Sequence, residues 1–320
     1  MSITRVGFGA WAIGGPGWET AWGPQDDAES IATIHRAIES GINWIDTAPI
    51  YGHGHSEEVV AAALAPIPAA NRPYVFTKCA LIWDARDRMA PPRRTLDRLR
   101  WQVEWSLRRL RVEVIDLLQV HWPPLEGPSM DAGWRAVHDL VASGLVRAVG
   151  VSNYSVEQLS AAEKLGHVDT LQPPFSLLRR DMAANELPWC AEHEVGVIGY
   201  SPMESGLLTG AFSEQRAAAL DPGDWRSRAA EFTGTQLARN LALVDRLKPV
   251  ADRLGTTVAA VAVAWTLAWP GVTGAIVGAR RPDQIGGWLD ATALRLDGDT
   301  LDEIAAALRA TGVGSGPLRP

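Results

Sequence analysis

The hydrophobic pattern along the chain alternates between two kinds of segment. Short, near-continuous apolar runs predict strands at 4–9, 42–46, 74–78, 114–119, 145–151, 168–172, 195–200 and 273–277, with VIDLLQV (114–120) and VGVIGY (195–200) as clear cases. Strands covered on both faces read this way, so the runs predict a parallel sheet. Between them the spacing is helical. Ile31, Ile34 and Ile38 share one face of 27–40, and Leu96, Leu99, Val103, Leu107 and Leu110 share one face of 94–110. Ser155 and Gln158 have the spacing of a capping box that starts a helix near 156, and Gly41, Gly144 and Gly166 stand where helices should stop. Eight strands alternating with helices predict an α/β (β/α)8 TIM barrel, eight-stranded and parallel, with its active site at the C-terminal face. A doubly wound sheet has the same alternation, but no Gly-x-Gly-x-x-Gly joins a first strand to a first helix.

No linker or low-complexity tract divides the chain, so 1–320 reads as a single domain. Its excess length falls in loops at 10–26, 80–93, 120–130 and 201–230, and the Gly- and Pro-containing tail 311–320 is expected to be loose. Residues 255–279 carry no charge, yet their strongly apolar part, 258–269, falls short of the ~20 residues of a membrane span. A buried helix, a turn and a strand are expected there, with no membrane partner.

Composition narrows the class. Hydrophobic residues make up 47% of the chain and charged residues 21%, both ordinary for a globular protein, and a net charge of −7 argues against a nucleic-acid partner. Two cysteines, Cys79 and Cys190, do not make a disulfide framework, and the N-terminus lacks a signal-peptide pattern, so a cytoplasmic setting is expected. Only three of the 30 basic residues are lysines (Lys78, Lys164, Lys248), and there are four tyrosines (Tyr51, Tyr74, Tyr154, Tyr200) against 14 tryptophans. Each lysine or tyrosine at a strand end therefore draws attention.

Three consecutive strands end in such residues. The second ends at Asp46 with Tyr51 just beyond, the third at Lys78 and the fourth near His121. Adjacent strands lie ~4.8 Å apart, so these side chains can converge. Asp46 would keep a buried Lys78 protonated, and the ammonium would lower the pKa of Tyr51 toward the range of a useful proton donor. His121 could orient the same substrate oxygen. This set suits protonation of an oxygen as a carbonyl becomes an alcohol. The hydride must come from a cofactor, because no side chain supplies one.

With these residues in place the chain resembles the aldo-keto reductase superfamily. The motifs that carry the resemblance run in order along nearly the whole length: GINWIDTAPIYG (41–52), VFTK (75–78), IDLLQVHWP (115–123), VRAVGVSNYS (146–155), LQPPFSLLRRD (171–181), IGYSPMESGLLTG (198–210) and AIVGARRPDQI (275–285). The resemblance implies an NADP(H)-dependent oxidoreductase acting on a small-molecule carbonyl or alcohol, with NAD(H) as the alternative cofactor. Tyr51 would be the general acid, Lys78 and Asp46 the pair that tunes it, and His121 the carbonyl-orienting residue. Ser152, Asn153 and Gln172 would hold the carboxamide and Tyr200 would stack on the nicotinamide. Ser201, Met203, Gly206, Leu207 and Thr209 would surround the pyrophosphate. Arg280 and Gln284 would grip the adenosine 2′-phosphate, with Gly278 also among the cofactor-binding positions. Gly287 and Trp288 stand where the family often has a Glu and an Asn against adenine, and Gly278 and Ala279 replace the Lys-Ser pair of another branch.

One alternative stays within the enzyme class, an NAD(P)-dependent dehydrogenase working toward oxidation of a sugar or alcohol, and two rival readings lie outside it. His53 and His55 could mark a metal-dependent barrel hydrolase, although no further ligand set accompanies them, and no metal is expected. A cofactor-binding regulatory protein of the same superfamily is the other. His35, His138 and His193 fall in helical patterns and are expected to face solvent. Trp44, Trp101, Trp105, Trp134, Trp265 and Trp269 are expected to pack the barrel. Trp11, Trp18, Trp22, Trp83, Trp122 and Trp225 lie in or beside the catalytic-face loops, with Trp11, Trp83 and Trp122 as candidate walls of the substrate pocket.

Overall fold

The computed structural model describes residues 1–320. Ten strands follow in chain order: β1 (Val6–Gly9), β2 (Trp44–Asp46), β3 (Tyr74–Cys79), β4 (Leu81–Ile82), β5 (Arg93–Arg94), β6 (Ile115–Val120), β7 (Val146–Ser152), β8 (Thr170–Gln172), β9 (Gly196–Tyr200) and β10 (Val272–Gly278). All but β4 and β5 form a closed parallel barrel in the order β1-β10-β9-β8-β7-β6-β3-β2. These eight coincide with the predicted runs to within two residues at each end. Ten helices accompany them: α1 (Asp27–Glu39), α2 (His55–Leu64), α3 (Leu99–Leu110), α4 (Met130–Ala142), α5 (Val156–Glu163), α6 (Glu186–Glu192), α7 (Glu214–Ala218), α8 (Gly234–Arg253), α9 (Val258–Ala268) and α10 (Gly298–Thr311). The architecture is a (β/α)8 barrel.

The main core of 69 buried residues includes outward-facing strand residues and their helical partners, so both faces of each strand are covered. A separate cluster of Trp44, Phe76, Leu117, Ile198 and Ile276 fills the barrel interior. Trp44 stacks on Phe76 with ring centres 5.1 Å apart. Its ring lies so close to β1 that a Cβ on Gly7 would fall 2.2 Å from it, which is why that position is glycine. The predicted capping box at α5 is complete, with Ser155 and Gln158 each bonding the other's backbone.

Several expectations are corrected. The helix read at 94–110 starts at Leu99, because Arg93 and Arg94 pair antiparallel with Leu81 and Ile82 in a hairpin that projects after β3. The 311–320 tail is held rather than loose. Val313 is buried, Arg180 donates to its carbonyl, Ser315 bonds Asp181 at 2.7 Å and Arg319 pairs with Asp302. Trp101 and Trp105 do not pack the barrel; they stand 51% and 40% exposed on α3. His35, His138 and His193 are half-buried, and His35 Nε2 lies 2.7 Å from the Ala63 carbonyl. Residues 258–267 are buried inside the protein, and no single helix is long and apolar enough to cross a membrane.

Candidate active site

Asp46 ends β2, Lys78 lies near the end of β3, and His121 follows β6 directly. The Lys78 side chain is 1% exposed; it donates to Asp46 Oδ1 at 2.5 Å and to the Thr47 carbonyl at 3.0 Å. Asp46 Oδ2 accepts from Gln172 Nε2 at 2.8 Å and from Gln119 Nε2 at 3.4 Å. A buried charge is tolerable only when paired and hydrogen-bonded in this way. Burial lowers the Lys78 pKa and Asp46 opposes that shift, with Glu57 adding to the opposition. Glu57, which sequence reasoning missed, is fully buried and accepts from Thr77 Oγ1 at 2.7 Å and Arg109 Nε at 2.6 Å. An acidic residue on the inward face of α2 was its only signal.

Tyr51 opens a tight turn in which Gly52, His53 and Gly54 all have positive φ. A Cβ on Gly52 would lie 1.8 Å from the Gly14 carbonyl oxygen, so glycine is required beside the tyrosine. Lys78 Nζ is 5.4 Å from the centre of the Tyr51 ring, and the His121 ring meets it edge-on at 5.8 Å. The expected lowering of the Tyr51 pKa is not found. Burial raises it well above the usual phenol value, and the charge of Asp46 adds to the rise. Burial and the Asp46 carboxylate set the direction despite the nearby ammonium of Lys78. His121 is pushed well below its usual range by burial and then by Lys78, so its imidazole is neutral, with Nδ1 buried and unpartnered. A phenol and a neutral imidazole thus share one wall, each able to donate one hydrogen bond.

That wall belongs to a cavity of about 1690 Å³ at the C-terminal ends of the strands. Pockets of ~300–1,000 Å³ hold single ligands, so there is room for a dinucleotide and a substrate together. Ser152, Asn153, Gln172, Tyr200, Ser201, Met203, Gly206, Thr209, Gly278, Arg280 and Gln284 all line it, as do Asp46, Tyr51 and His121. Leu207 does not: its side chain is buried in a satellite cluster with Phe212, Phe232 and Leu237. Tyr200 donates to Asn153 Oδ1 at 2.9 Å, and Asn153 Nδ2 donates to the His121 carbonyl at 3.0 Å. Ser152 Oγ donates to the Gln172 carbonyl at 2.6 Å. Burial pushes the Tyr200 phenol up to about 12.

Arg280 departs from its expected role. Each nitrogen of its guanidinium already donates within the protein, to Gln25 Oε1 at 2.7 Å, to the Trp22 carbonyl at 3.0 Å and to the Pro24 carbonyl. It ties the loop after β1 to the end of β10 with three of its five N–H groups, which leaves two uncommitted at the cavity it lines. Gln284 Oε1 accepts from the backbone N–H groups of Arg280 at 2.7 Å and Arg281 at 3.3 Å, holding that turn in place.

The same loop is joined to the one after β9. Trp22 and Asp224 form an antiparallel bridge, and Trp225 N–H donates to the Ala21 carbonyl at 2.9 Å. Trp11 stacks on Trp225 at 5.4 Å, while Arg226 lies 4.4 Å from the Trp22 ring and pairs with Asp224 at 2.6 Å. Asp224 and Arg226 were not foreseen; an Asp-x-Arg spacing in DPGDWRSR (221–228) was their only mark. Of the candidate pocket tryptophans, Trp11 and Trp122 line the cavity, with Trp18 and Trp22. Trp83 is not among them and instead stacks on His53 at 5.2 Å. His55 pairs with Asp27 at 2.9 Å, and no set of three His, Cys, Asp or Glu side chains gathers around the two histidines or elsewhere.

Residues 5–309 match the model of the Aldo/keto reductase family. The chain belongs to the aldo/keto reductase family. It is 35% identical over 312 residues to the aldo-keto reductase YhdN of Bacillus subtilis, covering 97% of this chain and 92% of the relative. It is 31% identical over 297 residues to the NADH-specific methylglyoxal reductase of Escherichia coli, covering 89% and 88%. Among solved structures, the glycerol dehydrogenase AKR11B4 from Gluconobacter oxydans superposes with a TM-score of 0.87 at 38% identity, over 99% of this chain and 95% of that one. The chain is therefore an oxidoreductase of this family, whose members use nicotinamide cofactors. The cavity suits such a group. Gly206 has a φ of +100°, no atom lies within 4 Å of where a Cβ on Gly286 or Gly287 would sit, and Gln172 Oε1 has no partner within the protein.

Proposed function

We propose that this aldo/keto reductase interconverts a small carbonyl compound and its alcohol, with Tyr51 moving the proton at the substrate oxygen. The convergence of Tyr51, His121 and the Lys78–Asp46 pair at one wall of a two-ligand cavity carries this reading. The bound nicotinamide dinucleotide supplies or accepts the hydride. Tyr51 holds its proton at Oη, and its raised pKa keeps it there through neutral pH. His121 donates from its neutral ring to the same oxygen and fixes the carbonyl's direction. Lys78 spends two of its three N–H donors on Asp46 and Thr47, leaving one for the phenol side as negative charge develops. Ser152, Asn153 and Gln172 would hold the carboxamide end, Tyr200 would pack beside it, and Ser201, Met203, Gly206 and Thr209 would surround the pyrophosphate, with Leu207 packed behind that loop. Methylglyoxal with reduced cofactor and glycerol with oxidised cofactor are the first substrates to assay, given the relatives' names. Turnover of neither these nor a wider panel of aldehydes, ketones and alcohols would favour a regulatory protein.

The sign of the pH dependence follows from the phenol. Reduction needs the protonated form, so its rate should hold across neutral pH and fall only in the alkaline range. Oxidation needs the phenolate and should rise with pH over the same span. Initial rates in both directions between pH 6 and 10 check this.

Arg280 and Gln284 pointed to NADP(H). With three of the five Arg280 N–H groups committed to the loop after β1, Arg216 is the cavity-lining arginine of this half without a hydrogen-bond or carboxylate partner. NADH and NADPH are therefore expected to bind within about tenfold of each other, since one charged hydrogen bond is worth ~1.5–3 kcal/mol and the expected donor already commits three of its five N–H groups within the protein. Fluorescence titration with both cofactors reads this, and a 100-fold preference for NADPH would restore Arg280 to its phosphate role.

A further inference from the structure

The substrate half of the cavity contains a guanidinium that nothing in the protein uses. Three arginines line it: Arg88, Arg93 and Arg94. Arg88 donates to the Gly17 carbonyl at 3.1 Å and the Gly52 carbonyl at 3.4 Å. Arg93 pairs with Glu126 at 2.6 Å. The Arg94 side chain makes no hydrogen bond and no ion pair. It is half-buried, with its guanidinium 4.7 Å above the Trp122 ring, and Trp122 directly follows His121. Stacking occupies the face of a guanidinium and leaves its in-plane N–H fork free, the geometry that takes two oxygens of an oxyanion.

The backbone beneath Arg94 is held on both sides. Leu81 faces Arg94 across the hairpin, and the Arg94 carbonyl accepts from the N–H groups of Leu125 at 2.9 Å and Glu126 at 3.3 Å. The fork is thus set before any ligand arrives, which lowers the entropy lost on binding. Glu126 pairs with Arg93 through Oε1 and makes no ion pair with Arg94. The other unpartnered ionised side chain lining this half, Glu19, sits on the loop after β1, two strands away around the barrel.

We propose that Arg94 is the specificity residue of this site, and that the preferred substrates are carbonyl compounds bearing a carboxylate or phosphate group, which the stacked guanidinium receives while Tyr51 and His121 take the carbonyl oxygen. The proposal rests on the carbonyl-reducing reading above and names the substrate class for it. The test compares kcat/KM for matched aldehydes: succinic semialdehyde against butanal, and 4-carboxybenzaldehyde and 4-formylphenyl phosphate against 4-methylbenzaldehyde. The anionic member should be favoured by roughly 10- to 100-fold, the worth of one charged hydrogen-bonded pair, and mainly through KM. The two aromatic anions show whether carboxylate or phosphate fits better. Arg94→Gln should bring the ratio close to one by raising KM for the anionic aldehydes, while Arg94→Lys, which keeps the charge, should retain a preference of about threefold or more. A wild-type preference below twofold, or an Arg94→Gln ratio within twofold of wild type, overturns the proposal. Quenching of tryptophan fluorescence by benzoate and by phenyl phosphate supplies an arm independent of turnover. If no aldehyde is reduced, the carbonyl-reducing reading fails, while anion binding that is present in wild type and lost in Arg94→Gln still supports the oxyanion site; anion binding unchanged in that variant removes it.

Discussion

Tyr51→Phe is expected to lower turnover in both directions by about 10²–10⁴-fold, the usual worth of a positioned general acid or base. At 1.36 kcal/mol per factor of ten, that is ~3–5 kcal/mol of lost transition-state stabilisation. The substitution removes one oxygen and leaves the ring, which is held by Trp11 at 6.4 Å, Trp18 at 6.2 Å and His121 at 5.8 Å, so the fold should be retained. Cofactor affinity should change little, because the hydroxyl makes no hydrogen bond within the protein and the residues proposed to hold the dinucleotide lie on β7–β10 and their loops. Steady-state kcat and a cofactor titration on the same preparation separate the two effects. Turnover within threefold of wild type would sink the assignment of Tyr51 as proton donor. A small residual rate is expected, since His121 can still donate to the substrate oxygen.

The second large effect concerns stability. Asp46→Ala removes the acceptor of Lys78, Gln172 and Gln119 at once and leaves a buried ammonium beside the Thr47 carbonyl alone. Breaking a buried pair from one side typically costs ~3–5 kcal/mol, a large share of the ~5–15 kcal/mol that separates folded from unfolded chains. The pH dependence has a definite sign. Burial already lowers the Lys78 pKa below its usual 10.5, and without Asp46 it falls further. Between that lowered value and 10.5 the unfolded chain binds more protons, so the deficit should shrink as pH rises. Urea unfolding at pH 7 and pH 9 measures the deficit and its change. Asp46→Ala combined with Lys78→Met should recover much of the loss, because an apolar chain replaces the unpaired charge. A double variant less stable than Asp46→Ala would show that the deficit comes from cavity formation and not from the ammonium.

The barrel was legible because its strands are buried on both faces and therefore uniformly apolar. The eight runs mark their own positions, and the helices between them follow from spacing. The convergence of Asp46, Tyr51, Lys78 and His121 was legible because these residues close consecutive strands, so chain order is spatial order. Legibility failed where distant loops meet. Nothing near Arg280 in sequence announces that its guanidinium is taken by Trp22, Pro24 and Gln25, more than 250 residues earlier. Arg94 was read as the first residue of a helix because Leu96 and Leu99 carry helical spacing, whereas pairing with Leu81 overrides that local preference. The Tyr51 pKa was misjudged for a related reason. A neighbouring lysine lowers a phenol's pKa only where burial and nearby carboxylates do not outweigh it, and the depth of burial and the closeness of Asp46 are properties of the folded site.

The scarcity of lysine has a chemical consequence at the cavity mouth. No lysine lines the cavity: its cations are all arginines, Lys164 and Lys248 are surface residues of α5's end and α8, and the Lys78 amine is buried against Asp46. Free amines condense with aldehydes to form imines, whereas guanidinium groups at neutral pH do so far less readily. On the carbonyl-reducing reading, an aldehyde entering the cavity therefore meets charge but no accessible lysine amine to capture it, and simple monoaldehydes are expected to leave the entrance unmodified.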